Sequence, residues 1–170
     1  IIIRFGGEDK VLCDTSEVRI PGPHNLENAL AATCIAVFMG VPAPVIRHTL
    51  RTFAGVEHRI EFVRELDDVR YINDSKGTNV DSTIKAIQTM TAPTAIILGG
   101  YDKHCDFMPL AREMVASPNM KAAVLIGATA DQIEAALRKA GYTAIHRAAT
   151  LEEAVNVGRS LSDKGGNVLL

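Results

Sequence analysis

Residues 94–98 and 122–126 are apolar runs in which polar residues do not alternate with apolar ones. A strand with one face in water alternates. A run without alternation is buried on both faces, which is the habit of a parallel sheet covered by helices. The segments around these runs carry a different period. Phe107, Leu110, Ala111 and Met114 fall at i, i+3, i+4 and i+7, and Ile133, Ala136, Leu137 and Ala140 repeat that spacing. Val80, Ile84 and Ile87 mark another helix. Strands are expected at 60–63 and 69–72, near Ala144-Ile145, and in the terminal run Val168-Leu169-Leu170 after Gly165-Gly166, with a helix from Leu151 before that run. Strand–helix alternation of this kind predicts an α/β fold with a doubly wound, mostly parallel sheet.

The first third of the chain is organised differently. Residues 1–20 read as short strands and turns, with Gly6-Gly7 as the bend of a hairpin, and Pro21-Gly22-Pro23 interrupts them. A helix over 25–39 is predicted from Leu26, Leu30, Cys34 and Val37, and Gly40 closes it. That pattern makes Cys34 a small core residue. A second helix, over 42–53, begins at a proline. A domain boundary is expected near residue 55. There are no internal repeats.

Composition narrows the class. Of the 170 residues, 47% are hydrophobic and 22% charged, which suits a globular chain with a real core. A net charge of -2 gives no purchase for nucleic acid or an anionic membrane. No apolar run approaches the ~20 residues of a membrane helix, and no secretory signal is visible. Cys13, Cys34 and Cys105 are odd in number, far apart and without a CxxC pair, which argues against a disulfide framework or zinc site and fits a reducing cytoplasm. The chain lacks an initial Met and stops inside an apolar run that reads as a core strand. It is therefore expected to be a piece of a longer polypeptide.

Ligands of open parallel sheets bind beyond the carboxyl ends of the strands. Here those ends run into Asn73-Asp74-Ser75-Lys76-Gly77-Thr78-Asn79, Gly99-Gly100-Tyr101-Asp102-Lys103 and Gly127-Ala128-Thr129. Two lysines, an aspartate and several hydroxyls converge on one rim, and the first cluster leads into a helix N-terminus, which favours anions. An anionic ligand near Lys76 and Lys103 follows; the same residue types also serve as plain turn and cap residues. Asn25 and Asn28 share a helix face and offer two amides of the kind that read a purine edge, while Asn25 is equally suited to cap its helix. The stretch from Asp102 to Asp106 has no ligand spacing for a metal. His48 and His146 read as structural or surface residues. No GxxxxGK[ST] loop and no GxGxxG fingerprint occurs.

His24-Asn25-Leu26-Glu27-Asn28-Ala29, Gly55-Val56-Glu57-His58-Arg59, the 73–79 stretch and Gly99-Gly100-Tyr101-Asp102-Lys103 together resemble the Mur ligase family, specifically its D-glutamate-adding branch. The resemblance covers essentially the whole chain, and Asn-Asp-Ser-Lys-x-Thr-Asn is its specific part. It implies a Rossmann-like C-terminal domain over 56–170, truncated at its end, preceded by the helical and hairpin tail of a central ATPase domain over 1–55. It implies an ATP-dependent ligase, cytoplasmic, acting in peptidoglycan biosynthesis. That ligase takes UDP-N-acetylmuramoyl-L-alanine, D-glutamate and ATP with Mg, and proceeds through an acyl phosphate. By the same resemblance Asn25, Asn28, Arg59 and Asp74 contact ATP. Lys76, Thr78 and Lys103 hold D-glutamate. The phosphate loop, metal ligands and catalytic groups are expected upstream, so this chain alone is expected to be inactive. His104 stands where the family usually has Gly, which bears on the local loop shape if that position needs a positive φ. The alternative is a stand-alone, non-catalytic α/β module that binds a small anion or nucleotide.

Overall fold

The computed structural model describes residues 1–5, 8–101 and 104–170. The chain forms two compact units, Ile1–Val56 and Glu57–Leu170.

In the first unit, β1 (Ile2–Phe5) and β2 (Glu8–Val11) pair antiparallel, Ile2 opposite Val11. The bend expected at Gly6-Gly7 lies outside the described residues. α1 (Pro23–Phe38) and α2 (Ala43–Thr52) follow. Pro42 immediately precedes α2 in extended conformation, a proline placed where no amide donor is missed. Leu12, Cys13 and Ile46 form the core of this unit. Arg47 secures the strand end, its guanidinium donating to the Leu12 carbonyl and, at 2.8 Å, to that of Val11. α1 departs from the expected packing. Its buried residues are Asn25, Ala29 and Thr33, whereas Leu30 and Cys34 are exposed. The helix is apolar nearly all round its circumference, so periodicity does not select a face. Asn25, Ala29 and Thr33 are buried along one stripe, and Ala36 and Val37 pack against the core of the unit.

The second unit is a six-stranded sheet in the order β3-β4-β8-β5-β6-β7. Its strands are β3 (Glu61–Leu66), β4 (Val69–Asn73), β5 (Thr94–Gly99), β6 (Met120–Ile126), β7 (Ile145–Arg147) and β8 (Asn167–Leu169). β3 pairs antiparallel with β4 and every other pairing is parallel. Four helices cover the sheet: α3 (Val80–Thr89), α4 (Met108–Ala116), α5 (Ala130–Ala140) and α6 (Leu151–Ser160). Alternate residues of each central strand feed different cores. Ile96, Leu98, Ala123, Leu125 and Leu169 pack with Ile87, Met114 and Leu137 from α3, α4 and α5. Ile97, Val124 and Val168 pack with Ala154 of α6 on the other face. Each fully buried Leu or Ile contributes roughly 1.5–3 kcal/mol of transfer free energy. This two-sided burial is the physical content of the non-alternating runs. The terminal run enters the sheet between β4 and β5, and its three strand residues are all buried. At its start the Asn167 amide donates to Thr94 Oγ1 at 3.1 Å, so a polar side chain is accommodated inside the sheet. Among the described residues, no helix is long and apolar enough to cross a membrane.

Candidate active site at the sheet rim

The chain leaves β4, crosses through α3 and enters β5, leaving a strand's width that β8 fills. Loops therefore diverge at the carboxyl ends of these strands, and a crevice opens there. It has a volume of about 390 Å³. Asp74, Thr78, Gly100 and Thr129 border it, and Ile96, Leu98 and Leu110 lie deeper.

The loop after β4 is held by its own backbone. The Asp74 N–H donates to the Leu170 carbonyl at 2.5 Å, and the Gly77 N–H donates to the Asp74 carbonyl at 2.7 Å. The Asn79 side chain accepts from the Ser82 N–H at 2.8 Å and caps α3. Between these anchors, Lys76 and Thr78 are exposed at the rim. Thr129, at the start of α5, is buried, with its hydroxyl 3.5 Å from the Gly100 carbonyl.

Asp74 is buried, at 9% exposure, and its Oδ1 accepts the Ile60 N–H at 3.0 Å. Burial pushes its carboxyl above the ordinary aspartate value. The bond from Ile60 and the charge of Arg59 oppose that shift without cancelling it. Arg59 itself is exposed. It sits between two residues in the left-handed region, His58 at φ +65° and Ile60 at φ +46°. For a β-branched residue such as Ile60 this is strained backbone, a state costing roughly 1–3 kcal/mol that persists only where the surroundings enforce it. Here they do. The His58 N–H donates to Glu61 Oε2 at 2.8 Å, and the His58 carbonyl accepts from the Lys76 N–H at 3.0 Å. His58 Nδ1 lies 3.0 Å from the Asn73 amide nitrogen and 3.5 Å from Glu61 Oε2.

The residues expected at the site are thus distributed unevenly. Arg59, Asp74, Lys76 and Thr78 come together on two neighbouring segments of the second unit. Lys103 lies outside the described residues. His104, beside it, has φ +57°, the conformation that a glycine takes more readily. Asn25 and Asn28 belong to the first unit. They share a face, the Asn28 amide nitrogen 3.5 Å from Asn25 Oδ1. Asn25 does not cap α1: Gly22 holds that position, and the Asn25 amide instead donates to the Pro21 carbonyl at 2.7 Å. Sequence reasoning included Asn73 in the 73–79 stretch but anticipated neither its bonds to His58 and Glu61 nor the bond from the His58 N–H to Glu61, because nothing in the letters marks His58 and Ile60 as left-handed.

A mostly parallel sheet with a crevice at the carboxyl ends of its strands is an open α/β architecture of the kind whose ligands bind at that rim. Residues 58–170 match the family described as Mur ligase, glutamate ligase domain, and the chain belongs to the Mur ligase family. Over 172 aligned residues it is 46% identical to the UDP-N-acetylmuramoylalanine–D-glutamate ligase of Thermoanaerobacter sp. (strain X514), covering 100% of this chain and 37% of that protein. The same identity, over 170 residues and with the same shares of the two chains, holds for the enzyme of that name from Clostridioides difficile (strain 630). This chain therefore spans little more than a third of these curated relatives. Two solved structures share the fold at a TM-score of 0.69. The UDP-N-acetylmuramate-alanine ligase of Thermotoga maritima is 19% identical, over 88% of this chain and 34% of its own. The folylpolyglutamate synthase of Mycobacterium tuberculosis, complexed with ADP, is 17% identical, over 89% and 38%.

Proposed function

We propose that this chain is the C-terminal part of an ATP-dependent ligase that adds D-glutamate to UDP-N-acetylmuramoyl-L-alanine in peptidoglycan synthesis, in the cytoplasm. The observation that carries the reading is 46% identity, along the entire chain, to proteins named for that activity. Residues 1–55 are then the tail of the central ATPase domain and 56–170 the amino-acid-binding domain. Leu30, Ile35, Phe38 and Met39, exposed apolar residues of the first unit, are suited to packing against the remainder of such a central domain.

ATP, with its magnesium ion, supplies the phosphoryl group that activates the muramoyl-alanine carboxylate as an acyl phosphate, which the D-glutamate amine then attacks with loss of phosphate. The side chains present suit a nucleotide. Asp74 is a carboxylate at the crevice wall with one oxygen already engaged, and it would accept a ribose hydroxyl. Arg59 is an exposed guanidinium next to it, fit for bidentate phosphate contact. Asn28, with Asn25 behind it, would read the adenine edge. Lys76, Thr78 and Lys103 would hold the carboxylates of D-glutamate and orient its amine, which is positioning rather than bond-making. The groups that hold magnesium and perform the phosphoryl transfer belong upstream of this chain.

The test is ATP-dependent phosphate release by the full-length enzyme with UDP-N-acetylmuramoyl-L-alanine and either D- or L-glutamate. Release is expected with D-glutamate and not with L-glutamate, and none is expected from residues 1–170 alone. Release with a different amino acid would mean that the 73–79 stretch does not select the acceptor. Turnover by the isolated chain would overturn the domain assignment.

A further inference from the structure

We infer that Glu61 and Asn73 are positioning residues for nucleotide binding, acting as a latch that sets Arg59 against Asp74. The inference rests on the ligase reading for the identity of the nucleotide, but its geometry is independent of that reading.

Arg59 and Asp74 sit at the open end of the β3–β4 hairpin, on opposite segments. The flanks of Arg59 are tied by bonds made from the other segment or from the first turn of β3. Ile60 N–H reaches Asp74 Oδ1 at 3.0 Å, and Lys76 N–H reaches the His58 carbonyl at 3.0 Å. Four further bonds depend on Glu61 and Asn73. Glu61 Oε2 accepts the His58 N–H at 2.8 Å. The Asn73 amide bridges His58 Nδ1 at 3.0 Å and Glu61 Oε2 at 3.5 Å. Asn73 Oδ1 meanwhile accepts the Ser75 N–H at 3.0 Å, so this one side chain ties the turn after β4 to the turn before β3. Left-handed φ at both neighbours of Arg59 is sustained by these bonds. Without them the 58–60 turn has a lower-energy alternative, and the guanidinium leaves its place. The Glu61 side chain is about a third exposed. The Lys76 N–H shares the His58 carbonyl, but the loop that carries Lys76 and Thr78 is also held by the bonds from the Asp74 N–H to Leu170 and from the Gly77 N–H to Asp74, which involve neither Glu61 nor Asn73, so the larger effect falls on the nucleotide.

The experiment uses the full-length enzyme with Glu61→Ala, Glu61→Gln and Asn73→Asp. Glu61→Gln keeps an oxygen for the His58 N–H. Asn73→Asp keeps the acceptor for Ser75 but replaces the bridging donor with an oxygen facing Glu61. ADP affinity is measured by calorimetry, KM separately for ATP and D-glutamate, and the thermal midpoint for each variant. Glu61→Ala and Asn73→Asp are expected to weaken ADP binding and raise the KM for ATP roughly five- to tenfold, the size of one net hydrogen bond. The KM for D-glutamate and the midpoint are expected to stay near wild type, and Glu61→Gln is expected to restore most of the ATP affinity. Unchanged ADP affinity in Glu61→Ala overturns the latch. Equal weakening of both substrates, or loss of fold in both disruptive variants, overturns it too, since either is what a general structural role predicts. If the wild type binds ADP but shows no D-glutamate-dependent turnover, the ligase reading fails while the ADP affinities of the variants still decide the latch.

Discussion

Replacing Gly99 by alanine is expected to destabilise the Glu57–Leu170 unit by about 3 kcal/mol or more, because the new methyl group has nowhere to go. A Cβ built on Gly99 falls 1.9 Å from the Ile126 carbonyl oxygen and 2.8 Å from its carbonyl carbon. Both belong to the backbone of β6, which is hydrogen-bonded to β5 along its whole length. Relief therefore requires moving one central strand away from the other. Overpacking against a yielding neighbour costs about 1–3 kcal/mol, and a backbone neighbour in the middle of a sheet yields least. The adjacent glycine is an internal control. Gly100 lies at φ +128°, with nothing within 4 Å of a built Cβ. Gly100→Ala should cost only backbone strain, about 1–3 kcal/mol. Thermal unfolding followed by far-UV circular dichroism separates the two, at a few degrees per kcal/mol for a domain of this size. Equal midpoints for the two variants would show that β5 and β6 can part at their ends. The Gly-Gly pair would then be a loop signal and not a packing requirement.

The pair also illustrates what the sequence makes legible. Burial on both faces leaves a mark in the letters, so β5, β6 and the terminal strand were readable as continuous apolar runs, and α4 and α5 from their spacing. β3 was only partly readable. Residues 60–63 were expected, but the strand runs to Leu66 through Arg64 and Glu65, which tolerate an exposed edge and carry no apolar pattern. The antiparallel β3–β4 pairing was not expected from periodicity, since alternation reports burial and not direction. α1 was legible as a helix, but not its inward face, and for the opposite reason, an excess of apolar residues: Leu30 and Cys34 are exposed although they helped carry the reading. At the rim, residue type and spacing were enough to nominate Asp74, Lys76 and Thr78, because loops after parallel strands converge whatever their details. The arrangement around Arg59 was not legible. It depends on left-handed backbone at His58 and Ile60, residue types that seldom adopt it, and on side-chain bonds from Glu61 and Asn73 that no local pattern announces.

Asp74→Asn is expected to make the fold more stable at neutral pH and the enzyme worse at holding nucleotide, by about ten- to a hundredfold. Stability comes first. The folded-state carboxyl of Asp74 titrates above the ordinary value of 3.8, mainly because burial disfavours its charged form. A raised carboxyl means that the fold prefers the protonated form. The associated stability is fully present below the unfolded value and is lost as pH rises through the folded value. Asparagine is neutral throughout and keeps an oxygen for the Ile60 N–H. The wild type and Asp74→Asn should therefore differ most at neutral pH and converge as pH falls toward 3.8 and below. Nucleotide binding moves the other way. A hydrogen bond to a charged acceptor contributes roughly 1.5–3 kcal/mol, and the substitution removes both the charge offered to the ribose hydroxyl and the counter-charge beside Arg59. The two measurements are thermal midpoints from about pH 3 to pH 8, a range wide enough to cross the titration, and ADP affinity in the full-length enzyme. Parallel midpoint curves would mean that burial does not raise the Asp74 carboxyl above its ordinary value. Unchanged ADP affinity would leave Asp74 as a brace for Ile60 and remove it from the nucleotide site. A gain in stability together with a loss of affinity is the signature of a carboxylate kept in an unfavourable place because its charge is used.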